Sequence, residues 1–469
     1  MTPAPELQRL FKLQQANRWI VAASTAAERA AKLNRLRRVI LEHRNAVHEA
    51  MRDDFRKHRA EVDVTEIQPT LIELKHARAN VSRWMVPVRA NTPLVLTGTS
   101  SEIRYEPKGV VLIMAPWNYP FQLLLSPLIA AVAAGNCAIL RPSEKVPKTA
   151  AILSRIVRES FDEAEVACVT EPGIDMANEL IAMPFDHVFF TGSVAVGRRV
   201  MAAAAANLAG VTLELGGKSP LVVDESADIE RTAERAVWGK FINTGQTCVA
   251  PDYALVQATV LPAFVDAAKR KIAEFYGETE EAREASPAYA RIIDDASFQR
   301  LCSLLEKAGG QVEIGGRLNA ADRYIAPTLL TNVNENSPLM REEIFGPILP
   351  ILSFGTLDEV PARINALGKP LAMYVFSRRP ENVELMVRRT SSGGVVVNNV
   401  VIHLSNPYLP FGGVGESGQG SYHGWYGFRT FSHERSVMRQ GWPSLGSNLY
   451  PPYGPKMERV VSLLRRFFS

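Results

Sequence analysis

The chain has 469 residues, of which 46% are hydrophobic and 22% are charged. This length predicts two or three domains, and the balanced composition excludes a disordered or fibrous protein. The 53 basic and 49 acidic side chains leave a net charge of +4. So small a charge does not indicate a nucleic-acid-binding protein, and the body of the chain holds no dense run of Lys and Arg.

Cysteine spacing and hydropathy narrow the class of protein further. The sequence has no CxxC pair and no HExxH-type spacing, so neither a disulfide framework nor a metal site is predicted. The N-terminal residues lack the apolar core of a signal peptide, and no apolar run reaches the roughly 18 residues that cross a membrane. We therefore expect a cytoplasmic protein with four free thiols, at Cys137, Cys168, Cys248 and Cys302.

The first 85 residues are predicted to be helical. Leu33, Leu36 and Ile40 recur at helical spacing. A further helix is expected over about residues 70–85, and it should end before Pro87. No pattern of catalytic residues is evident in this part of the chain, which we interpret as packing material.

From residue 109 onward, short apolar runs alternate with longer helical stretches. This alternation predicts parallel sheets covered by helices on both faces, with ligands at the carboxyl ends of the strands. One set of strands is predicted up to residue 214, and a second set follows it. The runs are GVVLIMAP, NCAILRP, VACVTEP, HVFFTGS and VTLELGG in the first set, and SPLVVDE, YALVQA, TLLTNV, PILPILSF, MYVFS and GGVVVNNV in the second.

The predicted fold class is therefore α/β, with two doubly wound parallel-sheet domains. Residues 86–107 break the alternation and are predicted to be a small extended excursion. After residue 427 the pattern becomes irregular, and the chain ends in an apolar and basic run at 459–469.

Cys248 lies in the segment FINTGQTC, between a predicted helix and a predicted strand. Loops at such junctions commonly present reactive groups, and Gly245 allows a turn just before the thiol. The alternative is a cysteine without chemistry, since a buried free thiol is the usual state of a lone cysteine.

Glu214 lies in the segment LELGGKSP, within an otherwise apolar strand that leads into two glycines. A carboxylate in such a place is unfavourable to bury unless it is partnered or protonated. Two interpretations follow. The glutamate is satisfied by backbone amides, or burial raises its pKa so that it can act as a general base.

Asn118 lies in the segment APWNYPFQ, directly after a predicted strand. The carboxyl end of that strand should face a site, where a neutral amide donor suits a developing oxyanion. The alternative is a turn asparagine that caps the next helix.

Gly192 and Gly197, in the segment FFTGSVAVGRRV, bracket the junction of a predicted strand and a predicted helix. Such a junction directs free backbone N–H groups towards a phosphate. The spacing is not GxGxxG, so the general dinucleotide fingerprint does not apply and a plain strand–helix turn is equally consistent.

Taken together, these segments resemble the aldehyde dehydrogenase superfamily over nearly the whole chain. The matching blocks occur in the family's order. They are APWNYPFQ, LRPSEK, FFTGSVAVG, LELGGKSP, NTGQTC, EEIFGP and LPFGGVGESGQG. The later stretch GSYHGWYGFRTFSHERSV is similar to the class 3 branch, which includes fatty and aromatic aldehyde enzymes.

The resemblance implies a role for each matching residue. Cys248 would be the nucleophile, Glu214 the general base and Asn118 the oxyanion donor. The cofactor would be NAD or NADP. Thr191, Gly192, Ser193 and Gly197 would lie near its pyrophosphate, Arg141, Ser143 and Glu144 near the adenosine ribose, Glu343 and Phe345 near the nicotinamide and its ribose, and Trp117 in the same loop as Asn118.

The resemblance also implies a domain organisation and an assembly. A Rossmann-like cofactor domain would comprise residues 1–85 and 108–214, and a catalytic domain residues 215–412. Residues 86–107 and 428–445 would form a bridging element of a homodimer, and residues 446–469 a C-terminal tail. The substrate would be a medium- or long-chain aliphatic aldehyde or an aromatic one.

Arg141 departs from the family pattern, which usually has lysine there. A guanidinium prefers a planar anion, so we hypothesise that Arg141 favours the 2′-phosphate of NADP. Glu144 argues the other way, because a carboxylate repels a phosphate. Use of both cofactors is therefore expected.

The tail segment 459–469 combines apolar residues with three arginines. It could lie on a membrane surface as a basic amphipathic helix with weak affinity, or pack on the protein. We favour packing, because so short a segment binds a bilayer weakly alone.

Two other functions are consistent with parts of the pattern. A related reductase would pass the thioester to coenzyme A, but Glu214 favours water as the acceptor. A catalytically silent relative could lose its nucleophile, yet Cys248, Glu214 and Asn118 are all present.

Overall fold

The computed structural model describes residues 5–93, 96–442 and 450–468. The helices are α1 (Pro5–Ala22), α2 (Ala26–Glu42), α3 (Arg44–Phe55), α4 (Arg59–Val62), α5 (Gln68–Trp84), α6 (Pro120–Ala134), α7 (Pro147–Ser160), α8 (Ile174–Ala182), α9 (Val194–Ala205), α10 (Ile229–Phe241), α11 (Leu261–Tyr276), α12 (Glu280–Ala285), α13 (Asp295–Glu306), α14 (Pro338–Arg341), α15 (Val360–Asn365), α16 (Pro380–Arg389), α17 (Gly424–Thr430) and α18 (Pro455–Phe468). Short 3-10 turns span Ile242–Gly245, Ala320–Asp322, Leu357–Glu359 and Ile402–Ser405, and a π turn spans Asp63–Ile67.

The strands follow the predicted apolar runs and add several short or polar ones. They are β1 (Val88–Ala90), β2 (Thr99–Pro107), β3 (Val110–Met114), β4 (Cys137–Arg141), β5 (Val166–Cys168), β6 (His187–Thr191), β7 (Gly210–Glu214), β8 (Pro220–Val223), β9 (Tyr253–Gln257), β10 (Gln311–Ile314), β11 (Leu318–Asn319), β12 (Tyr324–Ile325), β13 (Thr328–Thr331), β14 (Ile348–Phe354), β15 (Ala372–Phe376), β16 (Gly394–Val397), β17 (Gly418–Gln419) and β18 (Ser432–Gln440). The predicted α/β fold class is confirmed.

The first large sheet has the order β17-β7-β6-β3-β4-β5 and is parallel except for β17. Every residue of β3, β4 and β6 is buried, as expected for a sheet covered on both faces. Helices α1, α8 and α9 pack on one face, and α2, α5, α6 and α7 on the other. The strand order reverses beside β3, where doubly wound sheets bind ligands.

The second large sheet has the order β10-β13-β14-β9-β8-β15-β16 and is parallel except for β10. Its strands β9, β13 and β15 are almost entirely buried. Apart from β17, the strands of the first sheet precede residue 215 and those of the second sheet follow it. The domain boundaries themselves stay a prediction.

A third, small sheet corrects one expectation. The segment after residue 427 is not irregular, because α17 is followed by β18, which pairs antiparallel with β2 from Ser432↔Pro107 to Gln440↔Thr99. Most residues of β18 are exposed, so the strand carries no alternation of apolar and polar positions that would have predicted it. Strand β1 pairs on the other side of β2.

The tail contains α18, which overlaps most of the predicted apolar and basic segment. Residues 443–449 and 469, which belong to the predicted bridging element and tail, lie outside the described residues. Within the described ranges, no helix combines the length and the hydropathy needed to cross a bilayer.

Candidate active site

Three neighbouring strands of the first sheet end at one place. Strands β3, β6 and β7 are adjacent and parallel, so their carboxyl ends meet at one edge. Thr191 is the last residue of β6, Glu214 is the last residue of β7, and Asn118 lies in the loop after β3. The topology therefore brings together side chains that are far apart in sequence.

The loop that carries Cys248 has a tightly constrained path. Helix α10 ends at Phe241, and the 3-10 turn that follows has positive φ angles at Asn243 (50°), Thr244 (56°) and Gly245 (73°). A Cβ on Gly245 would overlap the backbone oxygen of Gly346. Only glycine fits this position, so Gly245 fixes the path of the backbone that leads to the thiol. Its role is therefore more specific than the permissive turn expected from the sequence.

Gln246 anchors the same loop, and sequence reasoning did not single it out. Its fully buried amide donates to the backbone oxygens of Asn243 (3.1 Å) and Arg291 (3.0 Å), and it accepts from the N–H of Ile293 (3.0 Å). Its position two residues before Cys248 was the available signal.

Cys248, Asn118 and Glu214 line one cavity of about 290 Å³ at this edge of the sheet. Among the predicted cofactor residues, Trp117, Thr191, Gly192, Ser193, Glu343 and Phe345 line the same cavity. The thiol, the amide and the carboxylate therefore line the same cavity, as residues of one catalytic site must. Their catalytic roles stay predictions.

Asn118 does not cap the helix that follows it. Helix α6 begins at Pro120, and the Asn118 side-chain N–H donates instead to the backbone oxygen of Gln246 at 3.0 Å. The side chain is 2% exposed, and its Oδ1 has no hydrogen-bond partner among the described residues. A primary amide has two hydrogens, so one N–H remains for a ligand in the cavity.

Glu214 is not satisfied by backbone amides. The residue is 3% exposed, and neither carboxylate oxygen has a hydrogen-bond partner within the described part of the chain. Burial raises the pKa of Glu214 well above its ordinary value. Burial therefore favours the uncharged form of this side chain, and a change in its surroundings would shift the balance between the acid and the carboxylate.

The thiol of Cys248 is also protonated at rest. Burial and the nearby carboxyl groups of Glu343 and Glu214 raise its pKa to about 12, against the lowering effect of the backbone N–H groups of Cys248 and Val249. Because the thiolate is the nucleophilic form, reactivity should rise with pH.

We expect the alkylation rate of Cys248 by iodoacetamide, without cofactor, to rise about tenfold per pH unit between roughly pH 7 and 9. Below its pKa, the thiolate fraction of a thiol increases tenfold for each unit of pH. Mass spectrometry of the peptide that contains Cys248 measures the rate. A rate that is flat over this range would show that the thiol is already ionised.

A second cavity, of about 210 Å³, opens on the other side of the thiol. Cys248 and Leu123 line both cavities. The second one is mainly apolar, and its lining includes Trp238, Ile242, Val401, Ile402, Leu404 and Phe411. We call the first cavity the polar cavity because the charged side chains Glu214, Arg300 and Glu343 line it, and the second the apolar cavity. Cys248 lies where the two meet.

The turn after β6 leads directly into a helix. Helix α9 begins at Val194, and the Ser193 side chain accepts a hydrogen bond from the N–H of Val196 at 3.5 Å. A helix N-terminus favours an anion. Gly197 does not line the cavity. A Cβ there would lie 2.7 Å from the Leu215 side chain, so this glycine lets α9 pack against the sheet.

A buried ion pair holds the segment that presents Glu343. The Lys218 ammonium pairs with Asp252 and donates to the backbone oxygens of Leu339 and Glu342, both at 2.9 Å. The other Asp252 oxygen accepts from the N–H of Ile344 at 2.9 Å. Sequence reasoning missed this pair, although Lys218 lies in the quoted block LELGGKSP.

Two side chains of this anchored segment, Glu343 and Phe345, line the polar cavity. Burial raises the pKa of Glu343 to about 8. A Cβ on Gly216 would overlap the Glu343 carboxyl group, so a larger residue there would displace this side chain. Phe345 contacts Trp117 edge to face, with ring centroids 5.5 Å apart.

Arg141, Ser143 and Glu144 lie at and beyond the end of β4 and do not line the cavity of Cys248. The buried Arg141 guanidinium donates to Glu144 (3.3 Å) and to the backbone oxygen of Val169 (3.5 Å). Glu144 also accepts from the N–H of Gly173 at 2.6 Å. The two opposite charges at this edge are therefore paired with each other.

The N-terminal region is not only packing material, which corrects our interpretation. The fully buried Lys57 ammonium pairs with Glu66 at 2.8 Å and donates to the backbone oxygen of Asn118 at 3.2 Å. The other Glu66 oxygen accepts from the N–H groups of Phe121 (3.1 Å) and Gln122 (3.0 Å) at the start of α6. This ion pair therefore holds the loop of Asn118 through hydrogen bonds to its backbone and to the start of α6.

This chain is similar to known proteins in both sequence and fold. A sequence model of the aldehyde dehydrogenase family matches residues 10–437. The 4,4′-diaponeurosporen-aldehyde dehydrogenase of Staphylococcus aureus is 45% identical and covers 93% of this chain and 94% of its own. A mouse relative, the dimeric NADP-preferring aldehyde dehydrogenase, is 42% identical over 92% of this chain and 94% of its own.

A solved structure of a substrate-bound Staphylococcus aureus AldH superimposes with a TM-score of 0.93 at 42% identity, over 98% of this chain and 99% of its own. The chain belongs to the aldehyde dehydrogenase family. It is an oxidoreductase of that class, and the resemblance read from the sequence is confirmed.

Proposed function

We propose that this protein oxidises apolar aldehydes, either aliphatic with a medium or long chain or aromatic, to carboxylic acids by covalent catalysis at Cys248. One observation carries the proposal: the thiol lines both the polar cavity and the apolar cavity. An aldehyde in the apolar cavity would meet the nucleophile and the oxidant at the same point.

The residues of the polar cavity fit a nicotinamide dinucleotide. Ser193 and the N-terminus of α9 would hold the pyrophosphate, and Glu343, Phe345 and Trp117 would hold the nicotinamide riboside. The side-chain oxygen of Thr191 supports this fit, because it lines the cavity, is buried and has no hydrogen-bond partner among the described residues. NAD or NADP is the oxidant, and when bound it accepts a hydride from the substrate carbon.

The protein's own groups prepare that oxidation. The Cys248 thiol loses its proton to solvent water, and the thiolate sulfur attacks the aldehyde carbon to form the anion of a hemithioacetal. The oxygen that becomes negative accepts hydrogen bonds from the Asn118 amide and the Cys248 backbone N–H. One such donor typically contributes about 3 kcal/mol to the transition state. Loss of the hydride leaves a thioester on Cys248.

Glu214 completes the cycle by activating water. Its carboxylate form takes a proton from a water molecule, and the hydroxyl attacks the thioester carbon. The C–S bond then breaks, so the acid leaves and the thiol is restored. A buried carboxyl group with a raised pKa suits this role, because it is basic enough to accept a proton from water near neutral pH.

The lining of the apolar cavity supports the proposed substrate class. Trp238, Ile242, Leu404 and Phe411 offer aromatic and aliphatic surface to a hydrocarbon group. The Staphylococcus aureus relative named above acts, by its name, on diaponeurosporen-aldehyde. Reduction of NAD or NADP at 340 nm with hexanal and benzaldehyde tests the function, and addition of coenzyme A separates hydrolysis from acyl transfer. Turnover of neither aldehyde would contradict the proposal.

We predict that Arg141→Lys raises KM for NADP relative to KM for NAD by a few-fold. Arginine presents a planar guanidinium that suits a phosphate, whereas lysine is a compact charge. Glu144 already pairs with Arg141, so the wild-type preference should be small and both cofactors should work. Steady-state KM values for both cofactors measure the ratio. An unchanged ratio in the variant would show that Arg141 does not determine the preference between NAD and NADP.

We further infer a homodimer that uses the small sheet. Strands β1 and β18 form its two edges and are mostly exposed, and an exposed edge can pair with another chain. The mouse relative is dimeric by its name. The cytoplasmic location stays a prediction.

The tail is expected to pack on protein and not on membrane. Met457, Val460 and Val461 of α18 are partly buried in the single chain, and short segments bind bilayers weakly. Removal of residues 457–469 should therefore leave co-sedimentation with anionic liposomes unchanged from the full chain. Binding that is present in the full chain and lost on truncation would assign a membrane contact to this segment.

A further inference from the structure

His423 is a polar residue in the apolar cavity that the proposed chemistry does not use. It lines the cavity together with Cys248. Its ring stacks on Tyr422 with centroids 4.1 Å apart. The residue precedes α17 and has a φ of 77°, a left-handed conformation that is unfavourable for a side chain of this size.

A buried carboxylate holds this imidazole. The Nδ1 of His423 lies 3.4 Å from Oε2 of Glu73, on α5, and Glu73 Oε1 accepts from the N–H of Gly424 at 2.7 Å. Both side chains are 5% exposed. A carboxylate can only accept, so Nδ1 donates to Glu73, and in an imidazole that carries this one hydrogen Nε2 is an acceptor.

The acceptor Nε2 has no hydrogen-bond partner among the described residues, although it is buried. A buried acceptor without a partner in apolar surroundings is destabilising. The Glu73 contact and the left-handed backbone both hold the ring in this position. A partner that enters the cavity with a donor group would relieve this penalty.

We propose that His423 determines specificity by accepting a hydrogen bond from a hydroxyl group that the aldehyde carries away from its carbonyl. The substrate class is then an apolar aldehyde with a remote hydroxyl donor. This inference rests on the proposed function, because it assumes that the apolar cavity holds the aldehyde. Glu73 is a positioning residue, since it acts through the ring of His423.

The test compares aldehydes of matched size with and without the donor. The pairs are 3- and 4-(hydroxymethyl)benzaldehyde against 3- and 4-ethylbenzaldehyde, and 9-hydroxynonanal against decanal. In the wild-type protein, kcat/KM should favour the hydroxyl member of at least one pair. In His423→Phe, which keeps a ring to stack on Tyr422, that preference should fall about tenfold.

Two further variants make the result specific. Trp238→Phe changes the wall of the same cavity and should leave the ratio of the two kcat/KM values unchanged. Glu73→Gln should lower the ratio partly, because a neutral amide fixes the tautomer less firmly. It serves as the second test if His423→Phe does not fold, which circular dichroism would show.

The outcomes separate the two proposals. An equal ratio in wild type and His423→Phe, or no hydroxyl preference in the wild type, overturns the role of His423 while aldehyde oxidation stands. A water molecule that merely satisfies Nε2 would give this result. Oxidation of none of the aldehydes by the wild type would instead contradict the proposed function itself.

Discussion

Replacement of Cys248 by serine is expected to lower kcat by about 10⁴-fold or more. Within the described part of the chain no imidazole is hydrogen-bonded to the side chain of residue 248, as one is in activated serine nucleophiles, and an alkoxide is far harder to form than a thiolate. The variant should still bind the cofactor, because Ser193, Glu343 and Phe345 are unchanged. Absorbance at 340 nm measures turnover, and quenching of protein fluorescence on addition of NADH measures binding.

Cys302→Ser provides the matched control. Cys302 is a free, partly buried thiol on α13 and lines neither cavity of the site. Its replacement should leave kcat within about twofold of the wild type, as most substitutions away from such sites do. Retained turnover in Cys248→Ser would remove the basis of covalent catalysis, and with it the whole mechanism proposed above.

Replacement of Glu214 by glutamine is expected to stall the enzyme as a thioester. Glutamine keeps the shape of the side chain but cannot take a proton from water, so acylation should proceed while hydrolysis slows by about 10²–10⁴-fold. Rapid mixing should then show a burst of about one NADH per site followed by slow turnover. Intact-mass spectrometry should find the acyl group on Cys248.

The pH dependence gives an independent check on the same residue. Burial raises the pKa of Glu214, so the basic form increases as pH rises through the folded-state pKa. Hydrolysis of the thioester should therefore speed up with pH in the wild type and lose this dependence in Glu214→Gln. Glu343→Gln, a second carboxyl substitution in the same cavity, should weaken cofactor binding without accumulation of thioester. A Glu214→Gln enzyme that hydrolyses at the wild-type rate would assign the base elsewhere.

Most of the strands that position the site could be predicted from the sequence, because buried strands appear as runs of apolar residues. Strands such as β3 and β6 are covered on both faces, so they appear as unbroken apolar runs that end where the sheet meets its ligand. Cys248, Glu214 and Asn118 lie in blocks that keep the family's spacing. The family resemblance that these blocks carry implied that the three side chains meet in one cavity.

The features that could not be predicted depend on contacts between distant segments. Strand β18 has no buried face and hence no periodic pattern. The pairing of Lys57 with Glu66 and the support it gives to Asn118 join three positions on different elements. A sequence shows two charged residues in a helical region, which is usually a solvated surface.

The pairing of Lys57 with Glu66 has a consequence for how this protein can be divided. The ion pair is fully buried, and both of its members are also hydrogen-bonded to the backbone between Asn118 and Gln122. A fragment that starts at β3 would keep every strand of the first sheet. It would lack Glu66, which accepts hydrogen bonds from the start of α6, and Lys57, which donates to the carbonyl of Asn118. The segment from Lys57 to Glu66 therefore supports the loop of Asn118 across the chain, and a shortened version of the protein should retain it.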